Sequence, residues 1–96
     1  MKIIALEKEN LHATTEGFMR FSEAEARTAW KLLQSGFIRE IYFRADENSA
    51  VLVLEAESVA SAHQNLQELP LVRNNLIDFE LIPLKAYPGF ARLFKE

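Results

Sequence analysis

Two hydrophobic periods alternate along the chain, and the switches between them mark its elements. Ile3, Ile4, Ala5 and Leu6 form a short apolar run closed by Glu7-Lys8-Glu9-Asn10, which predicts a strand over 2–8 running into a polar turn. From Leu11 to Arg20 no period holds, yet His12, Phe18 and Met19 stand there beside Gly17. That is too much apolar surface for an idle loop, so the segment reads as a lid. Ser22-Glu23-Ala24-Glu25 has the spacing of a capping box, and Ala26, Ala29, Trp30, Leu33 and Phe37 follow at helical intervals around Gly36. A helix over about 23–35 is the expectation.

The aromatic and β-branched run Phe37–Arg44, the turn residues Asp46-Glu47-Asn48-Ser49 and the run Ala50–Ala56 predict a β-hairpin. Ser58 is placed to cap a second helix carrying Val59, Ala62, Leu66 and Leu69 on one face and stopped by Pro70. Between Asn75 and Leu84 alternation returns, with Ile77, Phe79 and Leu81 on one side and Asp78, Glu80 and Ile82 on the other. The tail from Tyr87 to Phe94 holds three aromatics and needs a surface to dock on.

The element order βαββαβ folds, by the adjacency and handedness rules, into a four-stranded antiparallel sheet with both helices on one face. This is the ferredoxin-like α+β arrangement, and it leaves the other sheet face bare. In the third strand Val51 and Val53 lie on one face and Leu52 and Leu54 on the other, so both faces are apolar. A second copy of the chain is the expected cover, making a homodimer that could assemble further.

Ninety-six residues and 11.0 kDa leave room for one domain, 1–96. With 49% hydrophobic and 26% charged residues the chain is globular rather than disordered. No run approaches the length of a membrane span and the N-terminus meets Glu7 too early for a signal peptide, so a cytoplasmic protein that does not engage a membrane is expected. The absence of cysteine removes disulfides, thiolate nucleophiles and cysteine-ligated zinc, and a net charge of −3 argues against a nucleic-acid surface. Two separated histidines give no metal-ligand spacing, and three scattered glycines make no phosphate cradle. Neither a metal nor a cofactor is expected.

Ser58-Val59, Leu69-Pro70-Leu71 and Ile77-Asp78-Phe79-Glu80-Leu81, with the hairpin spacing that includes Arg39 and Tyr42, resemble the muconolactone isomerase family of dimeric α/β barrels. The resemblance spans about 37–82, whereas the first third agrees mainly in element order and the tail matches at Pro88 alone. It implies a cofactor-free isomerase that moves a proton on a small cyclic or aromatic-derived carboxylic acid or lactone. The same fold also serves as a non-catalytic ligand-binding or stress-associated scaffold, and as a cofactor-free monooxygenase.

Such an isomerase needs a base and a group that holds enolate charge. Glu80, on the strand face turned from the helices, is the first candidate base, and an interface ion pair is its commoner use. His63 beside the buried face of the second helix and His12 in the early loop are the other candidate acids or bases. Tyr42 and Arg44 share the more polar face of the second strand and would bind a carboxylated substrate; cross-strand pairing is their structural alternative. Arg39 follows the resemblance but has the opposite parity, which a bulge would reconcile. Trp30, on the apolar stripe of the first helix, is expected in the core, with stacking on a substrate ring as its functional use.

Overall fold

The computed structural model describes residues 1–95. The elements are β1 (Lys2–Glu9), α1 (Thr15–Ser35), β2 (Ile38–Phe43), β3 (Ala50–Glu55), α2 (Val59–Leu66), α3 (Pro70–Arg73) and β4 (Ile77–Pro83), followed by a 3-10 segment, Gly89–Phe94. The strands form one antiparallel sheet in the order β2-β3-β1-β4, so the two strands separated by a helix on each side of the hairpin interleave as the βαββαβ reading requires. No helix of the described residues is long and apolar enough to cross a membrane.

The helix-facing side of the sheet carries the core. Ile3 and Ala5 of β1, Leu52 and Leu54 of β3, and Ile77 and Phe79 of β4 are buried there against Leu32 of α1, Ala62 and Leu66 of α2, and Val72 of α3. A fully buried aliphatic side chain contributes about 1.5–3 kcal/mol, so this face holds most of the driving force for folding. On the opposite face Ile4 pairs with Val53 on one side and Ile82 on the other, and Leu6 pairs with Val51 and Glu80. These apolar side chains are only partly covered.

Three local expectations are corrected. Helix α1 begins eight residues earlier than the capping-box spacing suggested: Thr14 is the N-cap, its Oγ1 accepting from the Gly17 amide at 3.0 Å. Ser22 sits inside the helix and donates to the Met19 carbonyl instead of capping. The lid segment is therefore a short turn followed by two helical turns, and a Cβ at Gly17 would lie 2.9 Å from Leu76 Cδ2, so the Leu76 side chain would have to shift to admit one. Helix α2 ends at Leu66 with Gln67 as its C-cap, before the stop expected at Pro70, and Pro70 instead opens α3 in a first-turn position where its missing N–H costs nothing. In β2 a register shift between Ile38 and Glu40 brings Ile38, Ile41 and Phe43 opposite Leu54, Leu52 and Ala50, all on the helix side, where strict alternation had separated Ile38 from the other two.

Gly36 closes α1 with φ 89° and donates its amide to the Leu33 carbonyl, the left-handed cap that the sequence signalled. The tail does not pack onto its own chain. Tyr87, Phe90, Leu93 and Phe94 are each at least 64% exposed, and the molecule is drawn out to 62 × 28 × 21 Å.

Candidate functional site

Between α1 and the helix side of the sheet lies a cavity of about 380 Å³, large enough for a single substituted ring. Small side chains help to line it, Ala26 and Ala29 of α1 and Ala50 of β3, together with Ile41 and Phe43 of edge strand β2. Phe43 is 64% exposed, which marks this side as the mouth. The wall is apolar, with Phe18, Leu52, Leu69, Leu71, Ile77 and Phe79 contributing, and it is interrupted by two carboxylates and one hydroxyl: Glu7, Glu25 and Ser22.

Glu7 continues the inward parity of Ile3 and Ala5 on β1, which places it opposite Phe79 of β4 and on the cavity side. Its Oε1 accepts from the Ala50 amide at 3.0 Å. Glu25 lies on the inward stripe of α1 with Phe18, Phe21, Ala29 and Leu32. Its Oε1 accepts from the Leu71 amide at 2.9 Å, tying α1 to the start of α3. Burial raises both carboxyls above their ordinary value. For Glu7 the Ala50 hydrogen bond opposes the rise, and Glu9 and Glu47 add to it; for Glu25 the Leu71 hydrogen bond opposes it, and the charge of Glu7 adds to it. Two carboxyl groups held by backbone amides in an apolar cavity, each losing its proton less readily than in water, are placed to exchange protons with a bound molecule.

The residues singled out in the sequence fall elsewhere. Glu80 lies on the open sheet face, where it pairs with Lys8 across the β1–β4 ladder at 3.5 Å. Tyr42 is on the same face and donates to Glu40 at 2.6 Å, which raises its hydroxyl pKa. Arg44 is in the β2–β3 turn, held by Asp46 and Glu47. Arg39 occupies the β2 register shift, and its Nε donates to the Gly36 carbonyl. His12 is exposed in the turn before α1, and His63 borders a shallow polar depression of about 220 Å³ with Asn10, Gln67, Asn75 and Asp78. Trp30 is 60% exposed, so its expected place in the core is corrected: α1 turns Ala29 and Leu33 inward and Trp30 outward. The chain does not gather these seven side chains into one pocket. Among the described residues no three His, Asp or Glu side chains are grouped as metal ligands would be.

Glu7 and Glu25 were missed because each stands beside stronger local signals, a strand end and an apparent capping box. The signal that finds them is an acid in phase with a buried stripe, at 3-5-7 in the strand and 18-21-25-29 in the helix.

Comparison with known proteins gives the family and the fold. The family model described as muconolactone delta-isomerase matches residues 6–89. The fold is similar to a crystal structure of muconolactone isomerase, with a TM-score of 0.72 at 22% identity over 93% of each chain. It is also similar to a 5-chloro-2-hydroxyhydroquinone dehydrochlorinase from Burkholderia phenoliruptrix in complex with 2,5-dihydroxybenzoquinone, with a TM-score of 0.67 at 15% identity over 93% of this chain and 98% of that one. No curated protein sequence matches. The family match takes in Glu7 and Glu25 as well as the hairpin and β4, and with it the chain belongs to the muconolactone delta-isomerase family.

Proposed function

We propose that the chain is a cofactor-independent isomerase that moves a proton on a small cyclic, aromatic-derived carbonyl compound such as a lactone, with Glu7 and Glu25 as its acid–base pair. The observation that carries this reading is the presence of two backbone-anchored carboxylates, both raised by burial, in one apolar ring-sized cavity. The family match and the ring ligand named for the dehydrochlorinase structure support the substrate size.

In the proposed cycle the ionised carboxylate takes a proton from the γ carbon of an α,β-unsaturated lactone. The C–H electron pair moves into the ring and onto the carbonyl oxygen, where the protonated second carboxyl donates a hydrogen bond. Return of the proton from the first carboxyl to the α carbon completes the shift of the double bond from the α,β to the β,γ position. Atoms and electrons balance without a co-reactant, and the apolar wall strengthens each hydrogen bond by excluding water. Glu80, His63 and His12 then act away from the reacting atoms, and Arg39, Tyr42, Arg44 and Trp30 away from the buried part of the substrate.

The working form in this proposal is a homodimer. Ile4, Leu6, Val51, Val53 and Ile82 make a continuous apolar strip on the open face, and the projecting tail adds further apolar surface for a partner to cover. The test of function is ultraviolet absorbance of muconolactone and a panel of related lactones and hydroxylated rings incubated with the purified chain. Turnover by the wild type that falls in Glu25→Gln supports the reading. Silence across the panel favours the ligand-binding scaffold, and oxygen consumption with an electron-rich phenol favours the monooxygenase.

A further inference from the structure

Glu25 is oriented by the amide of Leu71, and the place of that amide depends on how α3 is closed. Helix α3 is a single turn, and its N-cap residue, Leu69, has no side-chain oxygen to cap it. The Leu71 amide is therefore open to an acceptor from another element, and the Glu25 carboxylate takes it at 2.9 Å. The other end of the turn closes on the same residue. Asn75 has φ 63° and is the one non-glycine residue at positive φ among the described residues. This backbone lets the Leu76 amide donate to the Leu71 carbonyl at 2.9 Å and the Asn75 amide to the Val72 carbonyl at 3.0 Å, the paired bonds of a Schellman motif. Asparagine enters the left-handed region more readily than other residues with a Cβ. The Asn75 side chain is exposed, so it is the backbone conformation rather than packing that suits asparagine to this position. Asn10, just after β1, holds the motif from outside. Its Nδ2 donates to the Asn75 carbonyl at 2.6 Å and its amide to the Leu76 carbonyl at 3.0 Å.

We infer that Asn75 and Asn10 are positioning residues for Glu25: the left-handed turn at Asn75, clamped by Asn10, fixes the Leu71 peptide so that its amide meets the Glu25 carboxylate. Neither asparagine lines the cavity. The inference rests on the reading of Glu25 as a proton-transferring group and adds the device that aims it. Few charged groups face Glu25. Glu7 of β1 is the only other titratable side chain lining the cavity among the described residues, and Arg73, the one charged residue of α3, is exposed. Burial and the charge of Glu7 both favour protonated Glu25, and the Leu71 amide opposes them. A displaced Leu71 amide therefore leaves Glu25 holding its proton to higher pH.

The experiment titrates the Glu25 carboxyl by carbon NMR in the full chain, its signal assigned by its absence from Glu25→Gln. Wild type is compared with Asn75→Ala, Asn10→Ala and Asn75→Gly. Both alanine variants are expected to move the midpoint upward by about 0.5 pH or more, as loss of a hydrogen bond to a carboxylate does. Asn75→Gly, which keeps the left-handed turn, is expected to stay at the wild-type midpoint. Where Asn75→Ala fails to fold, Asn10→Ala carries the test, since it removes one exposed side-chain hydrogen bond. An unmoved midpoint in the folded alanine variants, or an Asn75→Gly midpoint that moves as far as that of Asn75→Ala, overturns the positioning role. On a substrate that the wild type turns over, the limb of the kcat/KM profile that reports the ionised base is expected to follow the carboxyl midpoint in each variant. A midpoint that moves while the kinetic limb stays supports the positioning role and overturns Glu25 as the reacting group.

Discussion

Glu7 and Glu25 face one cavity from different layers, one from the central strand and one from the longest helix, and each is anchored by the backbone of a further element. Glu7 holds the Ala50 amide at the start of β3, and Glu25 holds the Leu71 amide at the start of α3. The pair is thus fixed by four elements, which is the rigidity that proton transfer over a hydrogen-bond distance requires.

Replacement of either carboxylate by its amide keeps a carbonyl oxygen for the backbone donor and removes the proton exchange. Glu7→Gln and Glu25→Gln are each expected to fold and to lower kcat/KM by about 10²–10⁴-fold on any substrate found, a loss typical of a removed acid or base. Glu80→Gln, on the opposite sheet face beside Lys8, is expected to stay within about threefold of the wild type. Steady-state kinetics of the three variants checks this.

The same carboxyls set a pH dependence of stability. Burial raises both above their ordinary value, so the folded state binds their protons more tightly than the unfolded chain does. Their contribution is fully present below the unfolded value of about 4.3 and is lost as pH rises through the folded values. The Glu7→Gln, Glu25→Gln double variant lacks this loss. Asp46 and Glu55, lowered by Arg44 and by the N-terminal amine respectively, act in the opposite sense, but equally in both proteins. Thermal melts from about pH 4 to about pH 7 should therefore show the wild type falling in Tm relative to the double variant. Parallel profiles would count against the raised pair.

Ala29 leaves the space that a ring would fill. Ala29→Leu places three more carbons in the cavity and is expected to weaken ring binding at least about tenfold, with Tm unchanged or raised because a void is being filled. Calorimetry beside a thermal melt separates blocked binding from unfolding.

The open sheet face predicts the assembly. Val53→Lys puts a charge at the centre of the apolar strip between Ile4 and the β2 edge. Light scattering is expected to give a dimer for the wild type and a monomer for the variant at micromolar concentration. A monodisperse monomer in the wild type would remove the homodimer.

The fold was legible because its signals are redundant: short apolar runs in β1 and β3, alternation in β4, Gly36 after a helical stripe, and Ser58 before one. Thr14 was obscured as the start of α1 because Ser22 and Glu25 mimic a cap about two turns later, and helix propensity across 15–22 carries no marker of its own. The β2 register shift was invisible because a bulge changes parity without changing composition. The site was less legible than the fold. Attention went to residues whose types suggest catalysis, whereas the cavity uses acids whose types are ordinary and whose phase is not: Glu7 follows Ile3 and Ala5 inward, and Glu25 falls between Phe21 and Ala29.

The most direct test of the acid–base pair is exchange at carbon. A lactone that binds the cavity is incubated in deuterium oxide with wild-type protein, Glu7→Gln and Glu25→Gln, and deuterium entering the position α to the carbonyl is followed by proton NMR. Rapid wash-in with the wild type, and loss of it to the buffer rate in at least one variant, is the predicted result. Wash-in that is equal in all three proteins, or absent from the wild type while the lactone is bound, would contradict proton transfer by Glu7 and Glu25.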